Sequence, residues 1–207
     1  MDMHVPYPGL PERKPVPPPG PSPRRTQHFS VPEIDPYARL YRQRIIVLHG
    51  EINDDSANTA ITGLLDLDGD NPDLEITLQL NSPGGSFSAA LAIYDTMEYV
   101  SAPVRTLCIG QADGPAALVL ASGTVGRRVV SPTAQIVLRQ PSIPETTADA
   151  RVESDKAAWL RDKVEDVLAD RAMRPRSEIH EALERPTLLT AREAVDFGIA
   201  DEVRAHR

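Results

Sequence analysis

Apolar positions concentrate after about residue 40, where short β-like runs alternate with stretches of helical periodicity. Ile45-Ile46-Val47-Leu48 is an unbroken apolar run of strand length and predicts a buried strand. Asn53 to about Asp66 carries Ala57, Ile61, Leu64 and Leu65 at helical spacing, with Asn53, Asp54 and Asp55 supplying capping oxygens and negative charge at its start. Glu75 to Leu80 predicts the next strand, ending in Asn81-Ser82-Pro83-Gly84-Gly85. Phe87, Leu91, Tyr94, Met97 and Val100 then form the stripe of a helix. A strand follows over Val104 to Ile109, then a turn, Gly110-Gln111-Ala112-Asp113-Gly114-Pro115, and an apolar helix through Leu120, proline being well suited to a first helical turn. Gln135 to Leu138 gives a further strand. This alternation predicts a layered α/β domain.

Ala148 to Met173 predicts a long, charged helix in which Val152, Trp159, Val164 and Leu168 are spaced for a partly buried face rather than a central core position, as in helices that pack against another subunit. Thr190-Ala191-Arg192-Glu193 has the capping-box pattern, and Gly198 suits the end of the helix it opens. No internal repeat is present.

Composition divides the chain. Eleven of the twenty prolines lie at or before Pro36, with the run Pro17-Pro18-Pro19-Gly20-Pro21 and almost no apolar periodicity, so residues 1–36 predict a solvated, extended tail and 37–207 one globular domain. No apolar stretch follows the tail's charges, and no later segment approaches the roughly 20 apolar residues needed to cross a bilayer. A cytoplasmic protein without a membrane partner is expected. The single cysteine, Cys108, excludes an intrachain disulfide framework and a zinc knuckle, and its apolar setting marks it as core. Thirty acidic against twenty-two basic residues give a formal charge of -8, which repels phosphate backbones and argues against a nucleic-acid partner. The Arg24-Arg25 pair, preceded by Pro23, belongs to the tail's solvated charge.

Two loops stand out from ordinary core. At Ser82 to Ser86, paired glycines between a strand and a helix free backbone amides to face a ligand. Gly110 to Pro115 again joins a strand to a helix, where α/β enzymes commonly place a nucleophile, yet it offers none.

Tyr37-Ala38-Arg39-Leu40 with Arg44-Ile45-Ile46, then Asn81-Ser82-Pro83-Gly84-Gly85, Ile93-Tyr94-Asp95-Thr96-Met97, Cys108-Ile109-Gly110-Gln111-Ala112, Gln140-Pro141 and Glu193-Ala194-Val195-Asp196-Phe197-Gly198 resemble the proteolytic subunit of the Clp protease (ClpP) over about residues 37 to 203. That resemblance implies a crotonase-like spiral of ββα units with a projecting handle helix. It further implies heptameric rings stacked through the handle, and degradation of unfolded polypeptide fed by a Clp-type ATPase. It brings a Ser-His-Asp triad and an oxyanion hole, but no cofactor and no metal.

Position by position the chain departs from that site. Where the family has Gly-Gln-Ala-x-Ser, this chain has Gly110-Gln111-Ala112-Asp113-Gly114, so Gly114 leaves no side chain to acylate. The general base that precedes the family's Gln-Pro pair is here Arg139, whose guanidinium stays protonated and cannot accept a proton. The triad Asp aligns with Pro186. The residue after the nucleophile, an oxyanion donor in the family, is Pro115, which has no N–H, so the Gly85 amide is the donor that remains. Asp113 and Arg139, both new around one pocket, are expected to pair across it, because an unpaired buried charge is costly. After Gln140-Pro141 the family's glycine-rich handle sequence is replaced by Ser142-Ile143-Pro144-Glu145-Thr146-Thr147.

The sequence therefore predicts a catalytically silent ClpP-like subunit that assembles into rings, alone or with active paralogues, and modulates ATP-dependent proteolysis. Two alternatives differ in class. An active serine peptidase would use a relocated nucleophile, Ser86 or Ser88, although serine there suits a helix start and no histidine lies nearby in sequence; His49 and His180 read as structural or exposed. A crotonase-like acyl-CoA enzyme would need two backbone donors and a carboxylate such as Asp113, and Pro115 again removes a donor.

Overall fold

A computed structural model describes residues 35–141 and 150–205. The predicted tail over 1–36, apart from Asp35 and Pro36, and the altered handle sequence at 142–147 lie outside the described residues. Helix α1 spans Pro36–Arg42, with Asp35 capping it by accepting from the Tyr37 N–H. Strand β1 (Ile45–His49), helix α2 (Asp54–Asp70), strand β2 (Ile76–Ser82), helix α3 (Phe87–Tyr99), strand β3 (Val104–Asp113) and helix α4 (Pro115–Ala121) follow in strict alternation. Strands β4 (Arg128–Val130) and β5 (Gln135–Leu138), helices α5 (Ala150–Ala172) and α6 (Arg176–Glu184), strand β6 (Thr187–Thr190), helix α7 (Ala191–Phe197) and strand β7 (Glu202–Val203) complete the described fold.

The α/β expectation holds. One sheet takes the order β1-β2-β3-β4-β7, all parallel, and β5 branches from β3 and pairs antiparallel with β6. The branch arises within β3. Its first half pairs with β4 at Thr106 to Cys108, and its second half pairs with β5 at Gln111 to Asp113. The expected turn at Gly110 to Asp113 is therefore strand, and the chain turns at Gly114. A register shift against β2 between Leu80 and Ser82 accompanies the change, and Gly110 sits there at φ 101°, where an added Cβ would lie 2.7 Å from Asn81 Oδ1. Pairing partners distant in sequence keep these polar residues extended, which local periodicity does not register.

Burial follows the predicted stripes with two corrections. The buried face of α2 is Ala57, Ala60, Gly63, Leu64 and Leu67, while Leu65, one residue or about 100° round from Leu64, is exposed. Helix α2 also runs four residues past Asp66, started by an Asn53–Ser56 capping box. Helix α5 divides in two. No position from 152 to 159 is buried, with Trp159 57% exposed, whereas Leu160, Val164, Val167 and Leu168 join the main core. Val164 and Leu168 are thus central, and the eight preceding residues extend about 12 Å past the last buried turn. All seven residues of α4 are buried, making it the inner helix between α3, α5 and β3. Cys108 is fully buried, and burial pushes its thiol up to about 12. No described helix is long and apolar enough to cross a membrane.

One polar residue organises the far side of the core. Arg128 is 5% exposed, and its guanidinium binds Asp201 through Nε and Nη2 and donates to the Arg171 and Gly198 carbonyls at 2.8 Å. It thereby ties β4 to the ends of α5 and α7 and to the start of β7. Burial alone would raise the Asp201 carboxyl, but the Arg128 hydrogen bonds and charge hold it below its ordinary value.

Candidate functional site

The glycine loop is built by β2. Buried Ser82 accepts from the Gly84 N–H through Oγ at 3.1 Å, which turns the chain past Pro83. Gly84 and Gly85 then take φ values of 103° and 138°, a region closed to ordinary L side chains. Ile52 fixes the loop as a one-residue parallel bridge, its N–H donating to Gly84 O at 2.8 Å and its carbonyl accepting from Ser86 N–H at 2.7 Å. A Cβ on Gly85 would sit 2.2 Å from Ile52 O. The Gly85 N–H takes part in neither bond.

Opposite lies the junction of β3 and α4. A Cβ on Gly84 would meet Asp113 O at 2.9 Å and Pro115 Cδ at 3.4 Å, so the two glycine-bearing loops are in contact. Gly114 has φ 52° and ψ −107°, a strained elbow that glycine adopts freely, and its N–H donates to Val137 O at 2.8 Å. Pro115 is buried as the first residue of α4 and supplies no N–H. A side chain at 114 would project into occupied space: its Cβ would lie 3.2 Å from Arg139 Cγ and 3.5 Å from both Arg139 Cδ and Phe87 Cζ.

Arg139 reaches that place through the register of the branch. Asp113 is paired with Val137, so Arg139, two residues on, shares the face of Asp113. Its Nη2 forms an ion pair with Asp113 Oδ2. The pair is single-pointed. Asp113 Oδ1 is buried and has no hydrogen-bond partner among the described residues, and Nη2 is the Arg139 nitrogen that bonds the carboxylate. Exposure is unequal, with 48% of the Arg139 side chain open against 16% of Asp113. Pro186 lies in the exposed turn between α6 and β6; continuing the antiparallel register from Leu138 and Thr187 by one step sets it opposite Arg139. The Gln140 N–H, bonded to Leu183 O at 3.1 Å, closes the same two segments.

Contacts thus link Gly84 with Asp113 and Pro115, and Arg139 with Asp113 and Gly114, while Gly85 is next to Gly84 in the chain. The other candidate groups are engaged elsewhere. Ser86 caps α3, its Oγ accepting from the Ala89 N–H at 3.2 Å, and Ser88 is exposed on the first turn. His49 ends β1 within 3.3 Å of the Gln79 amide nitrogen, and partial burial lowers its pKa. His180 bonds Glu165 at 2.8 Å between α6 and α5, and that hydrogen bond raises the imidazole pKa. No group of three or more His, Cys, Asp or Glu placed to hold a metal ion occurs among the described residues. Sequence reasoning missed Ile52 and Phe87 as walls of the site. Ile52 lies more than thirty positions before the glycine it clamps, and Phe87 reads as ordinary helix stripe, so neither carries a local signal.

Residues 30–207 match the Clp protease family. The chain is 40% identical over 182 residues to ATP-dependent Clp protease proteolytic subunit 1 of Corynebacterium glutamicum, covering 86% of this chain and 88% of that protein. It is 41% identical over 177 residues to proteolytic subunit 2 of Streptomyces coelicolor, covering 84% and 81% of the two chains. Proteolytic subunit 2 of Mycobacterium tuberculosis is 39% identical over 183 residues, covering 86% of each.

Proposed function

The chain belongs to the Clp protease family, and from that premise we propose that it is a proteolytically silent subunit that enters Clp rings and modulates proteolysis by active paralogues. One observation carries the reading: the elbow residue is Gly114, and the side chain standing over it is the Arg139–Asp113 ion pair. No side chain at 114 can attack a carbonyl, Arg139 at the position of the family's base is already protonated and cannot take a proton, and the neighbouring Asp113 carboxylate is held in the ion pair with Arg139. Pro115 removes one oxyanion donor, a change that by itself costs roughly 10²–10³ in turnover, while loss of a triad costs on the order of 10⁶.

Retention of the frame supports a structural role. The glycine loop, the elbow at Gly114 and the inner helix α4 are fully formed although no reacting group stands in them. In this reading residues 1–36 form a tail to the globular unit, and the exposed first half of α5, with Val152 and Trp159, supplies a ring-to-ring contact. Neither alternative activity has an observation in its favour: Ser86 is occupied as a helix cap, and an acyl-CoA site lacks the second amide at Pro115.

The test is peptidase activity of the purified chain alone and mixed with an active paralogue from the same cell, with native mass spectrometry of both samples. Inactivity alone, co-assembly, and altered turnover in the mixture are expected. Turnover by the chain alone that survives removal of contaminating protease would refute the proposal.

A further inference from the structure

We propose that the cleft at the amino-terminal ends of β2 and β3 is a binding site for an inorganic di- or polyphosphate, held by Arg105, Arg127 and Arg204. The cleft has a volume of about 350 Å³, at the lower end of the range for small-molecule sites, and draws its charged lining from separate parts of the chain. Glu75 immediately precedes β2, Arg105 is the second residue of β3, Arg127 immediately precedes β4, and Glu202 and Arg204 belong to β7 and its end. The glycine loop and the Gly114 elbow stand at the opposite, carboxy-terminal ends of β2 and β3. From Arg105 to Asp113 the chain runs about 26 Å at the rise of an extended strand, so the cleft is separate from that site and independent of its silence.

Charge balance restricts the ligand. Three guanidiniums against two carboxylates leave one positive charge in excess, in a chain whose formal charge is -8. Both carboxylates are engaged: Arg127 reaches Glu75 through Nη1, and Arg204 grips Glu202 through Nε and Nη2. Arg105 makes no ion pair and no side-chain hydrogen bond among the described residues. Its charge nevertheless reaches across the cleft: the Glu202 carboxyl is held below its ordinary value first by the Arg204 hydrogen bond and, in smaller part, by the charges of Arg204 and Arg105. The cleft therefore keeps one whole guanidinium, two nitrogens of Arg127 and the Nη1 of Arg204 for an anion from solvent. A carboxylate brings two acceptor oxygens and one charge, whereas a diphosphate brings more of both and can meet three guanidiniums at once. The remaining lining limits what else is recognised. A Cβ on Gly126, at φ 82°, would meet nothing within 4 Å, so space is open there, and no aromatic residue lines the cleft for a nucleobase to stack on. The site reads phosphate and leaves any attached group outside.

Isothermal titration calorimetry of the full chain with inorganic pyrophosphate, in metal-free buffer at constant ionic strength, tests this. Saturable binding at one site per subunit is expected, with ADP bound no more tightly than pyrophosphate. Arg105→Gln should weaken pyrophosphate binding about tenfold or more, and Arg105→Lys, which keeps the charge but loses the planar fork, should lie between. Glu202→Gln releases Arg204 and removes a repelling charge, so it should bind pyrophosphate more tightly than the parent chain, a gain that a folding defect cannot mimic. Absence of binding by the parent chain, unchanged affinity in Arg105→Gln, or weaker binding in Glu202→Gln overturns the proposal. A marked preference for ADP overturns it as well, because recognition would then lie in the nucleoside rather than in the phosphates.

Discussion

Returning a serine to the elbow is the most direct perturbation, and the structure sets its size. Gly114 lies at φ 52°, ψ −107°, so Gly114→Ser places an L side chain in a sparsely populated region that costs about 1–3 kcal/mol. The new Cβ also falls 3.2 Å from Arg139 Cγ, tighter than an ordinary contact, and the flexible arginine must move aside. For a domain of this size each kcal/mol shifts Tm by roughly 2–4 °C, so thermal unfolding should fall by roughly 2–12 °C. Truncating the obstruction in Gly114→Ser/Arg139→Ala should recover part of that loss, whereas Arg139→Ala in the parent chain should not stabilise it. Activity should stay absent in Gly114→Ser, because a serine without a base is a weak nucleophile. Differential scanning calorimetry and labelling by a fluorophosphonate read the two effects. A Gly114→Ser chain with unchanged Tm would show that the elbow relaxes at no cost. Rapid labelling of that variant would show that some group other than Arg139 activates the hydroxyl, and either result refutes the reasoning.

Further outcomes follow from the charged groups. Arg128→Ala leaves Asp201 uncompensated and strips donors from two carbonyls, so a loss of about 3–5 kcal/mol is expected, or roughly 6–20 °C in Tm; a drop under about 2 °C would contradict the role assigned to Arg128. The His180–Glu165 pair predicts a pH dependence of thermal stability. With the His180 pKa raised in the folded chain, its contribution is full below the unfolded value of about 6.5 and is lost as pH rises through the folded value. Glu165 is held below its ordinary value by His180 and Arg176 against the opposing effect of burial, so its contribution is lost as pH falls through the folded value. Tm should therefore decline as pH rises above about 6.5 in the parent chain, and His180→Gln should flatten that decline; an unchanged slope would refute it.

The sequence by itself determined the order of most elements, the caps at Asn53, Ser86 and Thr190, the two glycine-bearing loops, and which residues stand where a protease would carry its reacting groups. These are legible because capping, periodicity and left-handed backbone depend on residues within a few positions of one another. Only the tertiary structure decided the rest. Strand β3 runs on through Asp113 because β5 pairs with its second half, and the three-residue β4 and two-residue β7 exist as strands only through neighbours distant in the chain. Helix α5 is exposed in its first half and joins the core in its second, where Leu160, Val164, Val167 and Leu168 meet it. Arg139 stands over Gly114, and Ile52 clamps Gly85, because of parallel pairings far apart in sequence. Contacts of that range are fixed by strand register and packing, whose energies appear only when the whole sheet is assembled.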